Sequence, residues 1–144
     1  MKKIFFIAAA ALLTATIAKA DPSEKLLNSF KQTFPAAKNV KWNDSENGYM
    51  VSFMQTGTLT KIKYDKDGNF VNSLRYYQEK DLPVKVLMSI RKKYDGKNVY
   101  GVTEFTNTEG IIYQITLSDN KKWFIVNSST DGDLVLKDSY LKSE

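Results

Sequence analysis

The only side chains in this sequence able to move protons are carboxylates, amines and tyrosines. Its 144 residues hold 16 Asp+Glu and 21 Lys+Arg, and neither His nor Cys. Without His there is no Ser–His or Cys–His nucleophile pair and no imidazole metal ligand. Without Cys there is no thiolate nucleophile, no disulfide and no zinc ribbon. A pair of carboxylates could still serve as general acid and base. However, Asp44, Glu46, Asp65, Asp67, Asp119, Asp131 and Asp133 lie in stretches rich in Gly, Asn and Ser, the composition of turns, where short polar side chains hydrogen-bond their own backbone. Glu104 is the exception, an acid within a strand-like run.

Two acidic stretches invite comparison with a calcium loop. An EF-hand needs Gly at its sixth position and a bidentate acid at its twelfth. In Asp65-Lys66-Asp67-Gly68-Asn69 the glycine is fourth, and Tyr76 occupies the twelfth position. Asp131-Gly132-Asp133 departs from the pattern similarly. The seven glycines are dispersed, so no phosphate-cradling loop exists. The residues therefore predict no catalytic group, no metal and no cofactor. Lys61, Lys63, Arg75, Arg91, Lys92, Lys93, Lys121 and Lys122 interleave with aromatics, as in single-strand nucleic-acid binders, but the overall charge argues against that partner.

That charge depends on the first twenty residues. Lys2 and Lys3 precede an uncharged run from Ile4 to Ile17, and Ala18-Lys19-Ala20 places small residues at both cleavage-site positions before Asp21-Pro22-Ser23-Glu24. The pattern predicts a secretory signal peptide, residues 1–20, cut at Ala20-Asp21. The apolar run is short for a membrane span, and no Cys follows it to carry a lipid. Removing Lys2, Lys3 and Lys19 leaves 18 basic against 16 acidic groups, net +2. So weak a positive field does not support nucleic-acid binding. The expectation is a periplasmic or secreted protein with no membrane attachment after cleavage. An exported chain without cysteines suits a bacterial periplasm.

Residues 21–144 read as one domain that resembles itself at a spacing of about sixty. Leu26-Leu27, Phe30 and Phe34 match Val86-Leu87, Ile90 and Tyr94. Lys38-Asn39-Val40 returns as Lys97-Asn98-Val99, and Tyr49, Val51 and Phe53 match Ile111, Tyr113 and Ile115. Asp67-Gly68, Val71 and Tyr76 match Asp131-Gly132, Val135 and Tyr140. Two copies predict a tandem duplication, roughly residues 22–78 and 79–144. Each begins with an amphipathic helix. Ser23 is placed to cap the first and Pro35 to stop it; Asp81 is placed to cap the second, with Pro83 in its first turn and Gly96 at its end. Three turn signals then divide each copy into four strands. The expected fold class is α+β: two tandem repeats of one helix plus a four-stranded antiparallel meander, in two layers.

The export signal, the helix-then-four-strands repeat and Tyr64-Asp65-Lys66-Asp67-Gly68-Asn69-Phe70 resemble the PepSY-like, β-lactamase-inhibitor-like family of exported bacterial proteins of Bacteroidetes type. The resemblance covers essentially all of residues 21–144. It implies a two-layer fold similar to β-lactamase inhibitory protein (BLIP-like), no catalytic residues and no settled activity. Inhibitors of that kind carry disulfides, and this chain has none.

Alternation assigns side chains to faces. The matched sets Tyr49, Val51, Phe53 and Ile111, Tyr113, Ile115 should face the helices, with Thr60, Ile62, Tyr64 and Phe124, Val126, Ser128. The opposite parity holds Met50, Met54, Leu59, Lys61 and Lys63 in the first copy, and Ile112, Gln114, Trp123 and Ile125 in the second; Arg75 and Tyr77 are candidates to join it. A face so rich in large apolar groups, with no helix assigned to it, predicts an interaction surface. Its candidate partner-binding residues are Met50, Met54, Leu59, Lys61, Gln114, Trp123 and Ile125. The function expected is a non-enzymatic binding module that grips another exported protein, an enzyme it restrains being one such partner. The alternative is a small-ligand or envelope-stress scaffold using this face or the cleft between the repeats. The residues leave oligomeric state and partner identity open.

Overall fold

A computed structural model describes residues 21–143, so the export signal expected at residues 1–20 lies outside the described residues. Helix α1 spans Glu24–Thr33. Ser23 stands in extended conformation before it and its Oγ accepts a hydrogen bond from the Leu26 N–H at 3.2 Å, satisfying one of the N–H groups a helix start leaves without a partner. Leu26 and Phe30, four residues apart, turn to one side and are buried. The helix closes at Phe34, directly before Pro35.

Helix α2, Val84–Lys93, starts differently from expectation. Asp81 does not cap it: Glu79–Asp81 form a single 3-10 turn, and Pro83 occupies the N-cap position with no side-chain cap bond. The reason lies in Leu82, which is buried in the core beneath α2 and anchors the chain one residue before Pro83. Pro83 then sets the entry with its fixed φ and its carbonyl accepts from Leu87 N–H at 3.0 Å.

The strands are β1 (Lys38–Ser45), β2 (Gly48–Gln55), β3 (Thr58–Asp65), β4 (Phe70–Tyr77), β5 (Asn98–Asn107), β6 (Gly110–Ser118), β7 (Lys122–Ser128) and β8 (Leu134–Leu141). They form one antiparallel sheet in sequence order. The two runs of four strands, β1–β4 and β5–β8, join in this one sheet because β4 and β5 pair from Asn72↔Asn107 to Tyr77↔Val102.

Both helices lie on one side of this sheet. Antiparallel partners share a face, and Phe53↔Thr60↔Arg75↔Glu104↔Tyr113↔Ser128 is an unbroken cross-strand row. At one end Phe53 packs with Phe30 of α1, and at the other Tyr113 packs with Val86 and Ile90 of α2. The two cores differ in character. Beneath α1, aromatic rings meet edge-on or tilted: Phe30–Phe53 at 5.1 Å, Phe30–Trp42 at 5.4 Å and Phe34–Phe53 at 4.9 Å, with Val51 and Ile62 filling the floor. Beneath α2 the core is more aliphatic: Val86, Ile90, Val102, Ile115, Leu117 and Val126 are all 3% exposed or less.

Candidate functional site: the uncovered face of the sheet

The register fixes which residues occupy the other face. One row runs Met54↔Leu59↔Tyr76↔Thr103↔Gln114↔Asn127, and a second runs Lys41↔Ser52↔Lys61↔Leu74↔Phe105↔Ile112. Met50 stands opposite Lys63, Ile125 opposite Thr116 and Asp138, and Trp123 opposite Ser118 and Tyr140. All of Met50, Met54, Leu59, Lys61, Gln114, Trp123 and Ile125 therefore lie on the side away from α1 and α2. No described helix covers them. Gln114 and Ile112 are exposed, whereas Met50, Met54, Leu59, Lys61, Trp123 and Ile125 are half-buried by their neighbours.

Two of the expected face assignments are corrected. Arg75 and Tyr77 point to the helix side: Arg75 pairs with Thr60 and Glu104, and Tyr77 with Val102, all in helix-facing rows. A bulge at Lys63/Tyr64 breaks the β3–β4 register, so parity counted forward through the turn slips by one residue. On the helix side Glu104 is the hub. It accepts from Arg75 Nη1 at 3.2 Å and from Tyr77 Oη at 2.8 Å, and the guanidinium also lies 5.4 Å from the Tyr77 ring. Burial, reinforced by the bond to Glu104, pushes the Tyr77 hydroxyl far above the ordinary tyrosine range, so it stays a neutral donor.

In place of Arg75 and Tyr77 the open face gains Leu74, Tyr76, Phe105 and Tyr100. Leu74 and Tyr76 follow period-two alternation once parity is anchored within β4 itself, and Phe105 of β5 stands opposite Leu74. Tyr100 does not, because it sits in the bulge between Val99 and Gly101. It is 66% exposed, and its ring meets Trp123 edge-on at 4.8 Å. Lys142 Nζ lies 4.5 Å from the same Trp123 ring, and Lys61 Nζ stands 5.7 Å from the Tyr76 ring. Such stacking keeps long lysines extended over aromatic surface while their charge stays in water.

The charge on this face is one-sided. Lys41, Lys61 and Lys63 share it with Lys142, against two acids, Asp138 and, at the edge opposite Gly48, Asp65. Asp138 is itself engaged by the Tyr140 hydroxyl at 2.7 Å. Asn127 Oδ1, in the Gln114 row, is buried and has no partner.

The acidic turns are structural. Asp65 accepts from the backbone N–H groups of Asp67 and Asn69 and from the Asn69 side chain, at 2.8–2.9 Å. The Asn69 bonds hold its carboxyl below the usual carboxylate range. Asp119 does the same for Lys121 and Lys122 and pairs with Lys97 at 2.8 Å. Among the described residues no three His, Cys, Asp or Glu side chains gather as a metal-ligand set, and no helix is long and apolar enough to cross a membrane.

Comparison with solved structures gives the fold its relatives. The chain is similar to a BLIP-like protein from Bacteroides fragilis, with a TM-score of 0.66 at 18% identity over 88% of this chain and 92% of that one. It is similar to a DUF2874 family protein from Bacteroides uniformis, with a TM-score of 0.62 at 18% identity over 83% and 88% of the two chains. A third similar structure, provisionally assigned as a periplasmic protein of Bacteroides eggerthii, has a TM-score of 0.63 at 15% identity over 85% and 90%. The chain therefore has a BLIP-like α+β fold. No protein-family model and no curated protein matches the sequence.

Proposed function

We propose that this chain is an exported, non-enzymatic binding module whose uncovered sheet face grips an acidic surface of another exported protein. The observation that carries the reading is the composition of that face: large apolar groups at its centre, lysines among them, and two acids, Asp65 and Asp138, each bonded to its own neighbours. Interfaces are enriched in such aromatics and Met and depleted of acids at their core. Lysines add steering toward an acidic partner. Export rests on the signal pattern of residues 1–20 and fits the periplasmic description given to the B. eggerthii relative. The PepSY-like resemblance and restraint of an enzyme partner belong to the same reading.

Tandem duplication belongs to it too, and local geometry supports it. Gly68 N donates to Asp65 O and Asp65 N to Asn69 O; Gly132 N donates to Ser129 O and Ser129 N to Asp133 O. Both glycines have a left-handed φ, +84° and +85°, and a Cβ on Gly68 would meet Leu26 of α1 as one on Gly132 would meet Ser89 of α2. The helix ends repeat likewise: Phe34 N to Phe30 O and Ala37 N to Phe34 O are matched by Tyr94 N to Ile90 O and Lys97 N to Tyr94 O.

The test is capture. Residues 21–144, immobilised, should retain one acidic protein from a periplasmic extract of the native cells. Retention should fall with added salt and drop at least tenfold with Lys61→Glu/Lys63→Glu. Equal retention by this variant, at an unchanged melt, contradicts the reading.

A further inference from the structure

The helix side carries a second feature, independent of the uncovered face. Between α1 and the middle of the sheet runs a cleft of about 680 Å³, within the range of small-ligand sites. Its origin is visible in the register. In the hairpin under α2, Leu117 stands opposite Phe124 and Ile115 opposite Val126, so both of these helix-facing pairs are apolar. In the hairpin under α1, Gln55 stands opposite Thr58 and Phe53 opposite Thr60. Small and polar groups thus replace large apolar ones, and the row continues into Arg75 rather than into a hydrophobe.

The lining is divided by chemistry. Phe34, Phe53, Tyr64 and Phe70 supply aromatic wall, and Thr60, Ser73 and Thr106 supply hydroxyls on the floor. Two polar groups are not consumed by the fold. Arg75 gives Nη1 to Glu104, yet its side chain remains 45% exposed in the cleft. Gln55 Oε1 is buried there with no hydrogen-bond partner, which costs free energy unless a donor arrives. The two sit two strands and two residues of register apart, about 12 Å between their backbones.

We infer that this cleft binds a small amphipathic carboxylate: an aromatic or branched apolar body against the Phe34–Phe53–Tyr64–Phe70 wall, a carboxylate on Arg75, and an N–H or O–H donor for Gln55. Arginine suits a carboxylate because its planar fork presents paired donors. Glu104 remains as the group that orients the guanidinium, and it repels a second anion from the inner end of the site. An N-acylated aromatic amino acid carries all three elements in one small molecule.

N-acetyl-phenylalanine and its uncharged C-terminal amide are the probes, titrated into residues 21–144 and followed by backbone amide NMR. The acid should bind saturably and shift signals of Thr60, Ser73, Arg75 and Gln55, with the amide at least tenfold weaker. Arg75→Gln should abolish the preference for the acid, and Ser73→Leu should block both probes by filling the floor, each with a folded spectrum. Glu104→Gln keeps the Arg75 position occupied and should retain acid binding. Absence of saturation by either probe, equal affinity for the two, or shifts confined to the uncovered face would overturn the assignment. Capture of a protein on the opposite face is unaffected by any of these outcomes.

Discussion

Trp123 and Phe53 separate binding from stability at the scale of single residues. Phe53 is 2% exposed and its ring meets two others beneath α1. Trp123 is half-buried on the uncovered face and is contacted from the side by Tyr100 and Lys142. Phe53→Ala should therefore cost about 3–5 kcal/mol in chemical melts, as for a core aromatic, and leave capture per folded molecule unchanged. Trp123→Ala should cost far less in the melt and weaken capture by about 2 kcal/mol, roughly thirtyfold, the scale of a hot spot. If both variants unfold alike, Trp123 is core.

Asp119 makes a second prediction at this scale. The Lys97 ammonium first, and then the Lys121 and Lys122 N–H groups, hold its carboxyl well below its ordinary value of 3.8. A native carboxyl lowered in this way stabilises the fold fully above that value, and the contribution disappears as pH falls toward the native one. Asp119→Asn should lower the melting temperature at neutral pH and flatten the loss of stability between about pH 4 and about pH 2. An unchanged acid slope in the variant would show that the turn bonds of Asp119 do not depend on its charge.

Among the elements, the contacts between each helix and its glycine turn set the order of two substitutions. Gly132 has φ +85°, and a Cβ there would stand 2.5 Å from Ser89 Oγ and 3.2 Å from Lys85 O of α2. Gly68 has φ +84°, but a Cβ would meet Leu26 atoms no nearer than 3.7 Å. Gly68→Ala should cost about 1 kcal/mol, the left-handed penalty alone. Gly132→Ala adds a collision with a helix and should cost more. Denaturant midpoints of the two variants read the difference, and a larger loss at Gly68 would contradict the close approach of the Gly132 turn to α2. Alternation in Met50–Met54, Leu59–Lys63 and Gln114–Ile125 placed seven candidate residues on one face because β2, β3, β6 and β7 have strong apolar parity. It failed for Arg75 and Tyr77 because parity does not survive the Lys63/Tyr64 bulge, and it missed Tyr100 because that residue is itself the bulge. The cap expected of Asp81 failed because Leu82 had a stronger demand, burial beneath α2. The β4–β5 pairing that joins the sheet is a contact across a connection containing a whole helix, which no local pattern encodes.

At the scale of the whole molecule, both described helices lie on one side of one sheet, and among the described residues its other side is a broad apolar and basic surface. The most direct test of binding there is site-directed photocrosslinking in the living cell. A photoreactive residue at Gln114, in the centre of the uncovered face, is compared with one at Met88, which is 67% exposed on the outer side of α2. The expected result is a crosslink from Gln114 to one exported acidic protein, lost when Trp123→Ala is combined with it, and none from Met88. A crosslink to that protein from Met88 and not from Gln114 would place the binding surface on the helices and contradict the account.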